Sequence, residues 1–306
     1  MSFAFGTHRG DLGREETIES LDALRETGTE WIALCVEQRM ETKKSLEIRL
    51  NYNMNVTDVE LIRFIGEVHS RGMKVCLKPM IETNDGSWRA EVDFWRDKGS
   101  WAKWFYEYGG YITRIAELAE FTGCEMLCLG CEMLGTERQE LLWRELIREV
   151  RDIYSGPLTY NTNHDKEHVA AWYDAIDYIG TSAYFPVGKE PENSLSEMKA
   201  SWEAVRDRLK LIHEKWNKPV LFMEIGCRSA KGCARMPWDY MHRELPYDEE
   251  EQAAFYESCL SVFEDVEWMK GFFWWDWRAD LPKEKHPGFS IYGKKAEAVL
   301  RSYYKK

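Results

Sequence analysis

Apolar positions along the chain follow two alternating rhythms. Short runs rich in β-branched and aromatic residues predict strands at residues 3–7, 31–36, 74–81, 125–130, 158–161, 178–183, 220–223 and 271–275. Between them, apolar residues recur at three- and four-residue spacing, predicting helices at 15–26, 57–71, 101–121, 138–154, 195–216 and 249–263. Gly72, Gly123, Gly156 and the Lys218-Pro219 pair stand where several of these helices should stop. Strand and helix alternate to the end of the 306 residues, with no low-complexity linker and no fall in hydrophobicity. The pattern predicts an α/β protein, a single (β/α)8 barrel with residues 1–306 as one domain. A doubly wound sheet is the runner-up; it would more often carry a Gly-rich phosphate turn after its first strand, which is missing here.

In a (β/α)8 barrel the chemistry gathers where the strands end. Those positions hold Glu37 and Gln38 after the second strand, Lys78 and Pro79 in the third, and Glu132 after the fourth. Asn163 and His164 follow the fifth, Tyr184 the sixth and Glu224 the seventh, while Trp275, Asp276 and Trp277 lie at the eighth. Two of these stand out. Cys128-Leu129-Gly130-Cys131-Glu132 and Val220-Leu221-Phe222-Met223-Glu224 are apolar runs that close on a carboxylate. A charge at the end of a buried strand carries a desolvation cost, so it needs a reason to be there. Each glutamate alone reads equally well as a structural carboxylate paired to Lys or Arg. Together, at two strand ends of one barrel, they suggest an acid and a nucleophile.

Composition narrows the partner. With 44% hydrophobic and 31% charged residues the chain has an ordinary globular make-up, and its formal net charge of -12 argues against nucleic acid or an acidic membrane surface. A neutral small molecule or polymer fits better. The N-terminal residues lack the basic patch and apolar core of a secretory signal, and no apolar run approaches about 18 residues, so a cytoplasmic location is expected. The eight cysteines, most of them in apolar runs, read as buried thiols of a reducing compartment.

Two groupings resemble metal sites. Cys124, Cys128 and Cys131 have the spacing of an iron–sulfur motif, but along a strand Cys124 and Cys128 would be about 13 Å apart, with Cys131 on the opposite face. His164 and His168 are four apart, yet no third ligand accompanies them. No metal and no other cofactor is expected.

The ordered set of segments carries a more specific signal. It runs through Glu19-Ser20-Leu21, Gly28-Thr29-Glu30-Trp31-Ile32-Ala33-Leu34, Leu77-Lys78-Pro79, Ser87-Trp88-Arg89, Trp101 and Trp104-Phe105. It continues with Gly130-Cys131-Glu132-Met133, Leu158-Thr159-Tyr160-Asn161-Thr162-Asn163, Ile179-Gly180-Thr181-Ser182-Ala183-Tyr184-Phe185-Pro186, Met223-Glu224-Ile225-Gly226 and Trp275-Asp276-Trp277. In this order the chain resembles glycoside hydrolase family 113, the β-mannanases of clan A. The resemblance implies that Glu132 is the general acid/base and Glu224 the nucleophile of a retaining glycosidase, whose two carboxyl groups stand about 5 to 5.5 Å apart. It further implies that Tyr184 donates a hydrogen bond to the nucleophile and that Asn163 is a substrate-binding amide. Lys78 either holds a sugar hydroxyl or neutralises the carboxylates around it.

The 14 Trp and 15 Tyr suit a carbohydrate cleft, because flat rings stack on the apolar faces of pyranoses. Period-two alternation puts Trp275 and Trp277 on one face and Trp274 on the other, making Trp275 the expected platform beneath the reacting sugar. Trp88 and Gln38 join the substrate-binding candidates; Trp101, Trp104 and Trp238 are looser ones that read more readily as packing residues. Two positions depart from the pattern: Cys131 stands where much of clan A has Asn, and Met80 where a polar residue is expected. The expected activity is retaining hydrolysis of β-1,4-linked mannose chains, with endo or exo action left open. The segment 227–247 is long enough to wall off one end of the cleft. The partner is a neutral β-linked glycan and the chain a monomer. Another β-glycan specificity, or a barrel that binds glycans without cutting them, are the alternatives.

Overall fold

The eight apolar runs become eight parallel strands of one sheet, hydrogen-bonded in sequence order. The computed structural model describes residues 1–189, 193–242 and 244–305. The strands are β1 (Ser2–Phe3), β2 (Trp31–Met40), β3 (Lys74–Thr83), β4 (Met126–Cys131), β5 (Leu158–Asn163), β6 (Tyr178–Ser182), β7 (Val220–Ile225) and β8 (Met269–Trp274). The helices are α1 (Glu15–Arg25), α2 (Asp58–Ser70), α3 (Lys98–Thr122), α4 (Leu134–Glu137), α5 (Glu140–Ile153), α6 (Leu195–Trp216), α7 (Glu249–Phe263) and α8 (Lys295–Tyr304). The expected (β/α)8 barrel is therefore the fold. Its seam is closed by the residues just past β8: the Trp277 amide donates to the Ser2 carbonyl at 2.9 Å, and the Ala4 amide to the Trp277 carbonyl at 3.2 Å.

Two apolar layers follow from the strand alternation. Inward residues Ala33, Cys76, Met126, Cys128, Leu221, Met223 and Phe273 fill the lower barrel. Above them Cys35, Met80 and Cys131 form a smaller cluster against Trp275. The outward residues meet the helices in a second core, where Trp104, Trp143, Trp172, Trp202, Trp274 and Trp277 are fully buried. Trp101 and Trp104 belong to this packing: Trp104 stacks on Tyr108 with ring centroids 4.9 Å apart.

Helix boundaries obey local chemistry. Thr57 with Glu60, and Ser194 with Glu197, form reciprocal capping boxes at the starts of α2 and α6. Gly123 ends α3 at φ 70°, a left-handed conformation that a glycine adopts without strain. Between β5 and β6, where the apolar spacing predicts no helix, lies a 3-10 turn (Tyr173–Ala175), with Trp172 and Tyr173 filling the space. Strand bounds differ from the expectation. Strands β2 and β3 run on to Met40 and Thr83. Their last inward residues, Glu37, Arg39 and Glu82, are polar because they face the mouth, so the apolar rhythm stops before the backbone pairing does.

Candidate active site

The two glutamate-bearing strands both break period two at their upper ends. In β4, Cys128 and Cys131 face inward although three positions apart, and the register with β5 slips between them. In β7, Met223 and Glu224 both reach the interior, and the register with β6 shifts so that Ser182 pairs with Glu224. A bulge re-aims the side chain that follows it, and here it turns each segment's polar end toward the mouth. Gly130 permits the β4 bulge: a methyl group there would stand 2.5 Å from the Tyr108 hydroxyl and 2.6 Å from Met133 Cε. Glu132 itself sits at φ 53°, a conformation L residues rarely adopt and one that costs of order 1–3 kcal/mol. Its amide donates to the Asn161 carbonyl at 2.7 Å, which fixes the turn.

Glu224 is buried among donors from three strands and from the segment that follows β6. Its Oε1 accepts from Lys78 Nζ at 2.5 Å, Cys131 Sγ at 3.1 Å and Asn161 Nδ2 at 3.1 Å. Its Oε2 accepts from the Tyr184 hydroxyl at 3.0 Å. Burial works to raise the carboxyl's pKa, but Lys78, Arg89 and the bonds from Lys78 and Cys131 outweigh it and hold Glu224 below its usual range. Burial and the neighbouring Glu224 push the Cys131 thiol and the Tyr184 phenol well up, so both stay neutral and donate. Lys78, with no exposed surface, remains a cation: burial works against its charge, and the Glu224 carboxylate 2.5 Å away outweighs it.

Glu132 experiences the opposite balance. Burial raises its pKa most, the Arg89 guanidinium draws it down, Glu224 pushes it up again, and the net direction is upward. Arg89, on the 3-10 turn after β3 (Arg89–Glu91), donates through Nη2 to Glu132 Oε2 at 2.8 Å, through Nη1 to Glu82 Oε1 at 2.5 Å and through Nε to the Cys131 carbonyl at 3.0 Å. Two carboxyl groups over one barrel mouth, one held ionised and one held toward its acid form, are what acid-assisted displacement at an acetal carbon requires.

Comparison with known proteins bears directly on this arrangement. The family described as Glycoside Hydrolase Family 113 matches residues 1–294. The chain belongs to glycoside hydrolase family 113. A solved family 113 β-1,4-mannanase is 33% identical with a TM-score of 0.91, covering 100% of this chain and 98% of that one. The family 113 β-mannanase AaManA from Alicyclobacillus acidocaldarius, in complex with ManMIm, is 36% identical with a TM-score of 0.91 over 100% and 96% of the two chains. A β-D-glucuronidase of Dictyoglomus thermophilum, 16% identical with a TM-score of 0.63 over 95% of this chain and 47% of that one, shares the fold. No match was found among curated proteins.

Within this family 113 barrel the remaining candidates separate. Trp275 is half-buried at the mouth, its ring against the Cys35, Met80 and Cys131 cluster, 5.6 Å from Lys78 Nζ and 4.8 Å from the Phe5 ring. Asn163 closes β5 on the same face as Asn161, buried, with its Oδ1 unpartnered among the described residues. Trp88 is half-exposed beside Arg89. Trp277 leaves the site. Alternation does not extend past the end of β8 at Trp274, and Trp277 pairs with β1 instead. Its fully buried indole donates to the Ser20 carbonyl and hydroxyl, at 3.1 and 3.0 Å, and packs edge-on to Tyr292. Gln38 leaves as well: it shares the outward, helix-facing side of β2 with Val36 and Met40, and Glu37 takes the inward position, accepting the Gly6 amide at 2.8 Å.

His164 stacks on Trp238 at 5.5 Å while His168 is exposed, and no metal-holding group of His, Cys, Asp or Glu occurs among the described residues. All eight cysteines are free and buried. Sequence reasoning missed Asn161 and Arg89, which touch the two glutamates, and Glu82, which holds Arg89. Asn161 carried a signal, since alternation along β5 gives it the same face as Asn163.

Proposed function

We propose that the protein is a retaining β-1,4-mannanase in which Glu224 is the nucleophile and Glu132 the acid/base. The observation that carries this reading is the opposite bias on two carboxyl groups that share one set of buried cations. In the first step Glu224 Oε2, the oxygen with the lighter load of donors, attacks the anomeric carbon. The glycosidic C–O bond breaks as Glu132 transfers its proton to the departing oxygen. In the second, Glu132 takes a proton from water, the water oxygen bonds to the anomeric carbon, and the ester to Glu224 breaks. Two inversions give net retention.

The charges around the site rationalise this exchange of roles. Lys78 and Arg89 balance Glu224 and Glu82 while Glu132 carries its proton. Esterification removes the negative charge of Glu224, which favours release of the Glu132 proton at the moment a base is needed. Trp275 lies where a pyranose ring would stack, and the free Oδ1 of Asn163 offers an acceptor to a sugar hydroxyl. The mannose linkage is that of the similar family 113 β-1,4-mannanases.

The test is product analysis on β-1,4-manno-oligosaccharides with ¹H NMR of the first-formed anomer: β-anomer is expected, and α-anomer would refute retention. Glu224→Ala with azide should yield an α-glycosyl azide and Glu132→Ala a β-glycosyl azide, each from an activated aryl β-mannoside. Turnover on β-glucan or xylan oligosaccharides but not mannan would move the specificity elsewhere. Binding without turnover on any β-glycoside would make the barrel a lectin.

A further inference from the structure

We propose that Arg89 and Glu82 are a pair of positioning residues that act through Glu132: Arg89 orients its carboxyl group, and Glu82 withholds part of the Arg89 charge so that Glu132 keeps its proton. The inference rests on the acid/base assignment above and goes beyond it to two residues that enter that scheme only as balancing charges.

The geometry is that of a divided fork. An arginine presents fixed, planar donors and pairs most strongly when both arms meet one carboxylate. Here the arms part. Nη1 goes to Glu82 Oε1 at 2.5 Å, Nη2 to Glu132 Oε2 at 2.8 Å, and Nε is anchored on the Cys131 carbonyl at 3.0 Å. All three side chains are largely buried, so the competition is little screened by solvent. A guanidinium given wholly to Glu132 would strip its proton and leave a poor acid. One absent altogether would leave the carboxyl unaimed on its left-handed turn. Dividing the fork satisfies both needs, and the half-share on Glu132 also steadies the carboxylate when it serves as base.

Other charged or titratable groups near Glu132 come from several elements. Lys78 and Glu82 lie on β3, Cys131 on β4 and Glu224 on β7; Tyr184 follows β6 and Glu137 lies on α4. Glu37 and Arg39 of β2 stand beside Glu82. The Arg89–Glu82 pair reaches Glu132 through the Arg89 hydrogen bond and makes none to Glu224, so its loss should move the alkaline limb of the pH profile. Because the Arg89 charge also lowers the Glu224 pKa, Arg89→Gln should raise the acidic limb as well.

The experiment is the pH dependence of kcat/KM on a manno-oligosaccharide, whose alkaline limb reports the free-enzyme acid. Glu82→Gln releases Arg89 to Glu132 and removes a like charge, so the limb is expected about 1 pH unit lower. Arg89→Gln removes the cation, so the limb is expected about 1 unit higher, with kcat reduced by lost orientation. Arg89→Lys should return the limb toward its original position without restoring kcat. A 2,4-dinitrophenyl β-mannoside, whose leaving group departs unprotonated, should turn over in every variant, which also shows that the site has folded.

Limbs that stay put, or that move in the same direction for Glu82→Gln and Arg89→Gln, overturn the proposal. Failure of the underlying assignment looks different: Glu132→Ala would then keep its alkaline limb on the oligosaccharide.

Discussion

At the scale of single residues, Lys78 shows how one side chain sets the state of another. Its ammonium has no exposed surface, bonds Glu224 at 2.5 Å and lies under the Trp275 ring. Replacing it with Met leaves Glu224 a buried carboxylate without its main counter-ion, a change that costs about 3–5 kcal/mol in buried pairs. Glu224 must be ionised to attack, and Lys78 holds its pKa down, so Lys78→Met should move the acidic limb of kcat/KM upward by about 1–3 pH units. A limb that stays in place would show that Lys78 serves the substrate and not the nucleophile. The tryptophans at the end of β8 offer a second contrast. Trp277→Ala removes a fully buried indole with two hydrogen bonds to Ser20 and should cost about 3–5 kcal/mol in urea unfolding. Trp275→Ala removes a half-buried ring at the mouth; it should lower kcat/KM on manno-oligosaccharides while shifting the urea midpoint far less. Equal losses of stability in the two variants would put Trp275 in the core.

At the scale of elements, the single turn α4 carries a titration that belongs to stability. Glu137 is completely buried and accepts from the Tyr160 hydroxyl at 3.0 Å and from Thr162 Oγ1 at 2.9 and 3.0 Å. Burial lifts its pKa to about 7 against the Thr162 and Tyr160 hydrogen bonds. A carboxyl raised in the fold binds more protons there than in the unfolded chain, so stability falls as pH rises from the ordinary carboxyl range to about 7 and stays lower above it. Glu137→Gln should therefore flatten the stability profile between pH 4.5 and about pH 7, by roughly 3 kcal/mol at most at 1.36 kcal/mol per pKa unit. A variant with the same pH slope would refute it. Elements of this kind were the hard ones to read. Helices α6 and α7 have the limits that their apolar spacing predicts, because an amphipathic helix writes its buried face into the sequence. Helix α4 is too short to show a period, and the bulges in β4 and β7 depend on which neighbour each strand pairs with.

At the scale of the whole molecule, a chain with net charge -12 builds a site around two buried cations, Lys78 and Arg89, both delivered by β3 and the turn that follows it. The strand-end rule found Glu132, Tyr184 and Glu224, which lie within two residues of the ends of β4, β6 and β7, whereas Lys78 stands within β3. It could not find Arg89, a loop arginine whose role exists only because β3 and β4 are neighbours. Nor does it describe the loops that follow the strands, which come from distant parts of the chain. Trp88 is half-exposed after β3, and Trp238, after β7, stacks on His164 at 5.5 Å in a segment held by the buried Arg228–Asp239 pair at 2.8 Å. An aromatic face held rigid beside the mouth can contact only sugars beyond the reacting one. Trp238→Ala should accordingly lower kcat/KM on mannopentaose by about 2- to 10-fold, the equivalent of one aromatic contact, and leave mannobiose nearly unchanged. The same fractional loss on both substrates would mean that Trp238 supports the loop and holds no sugar.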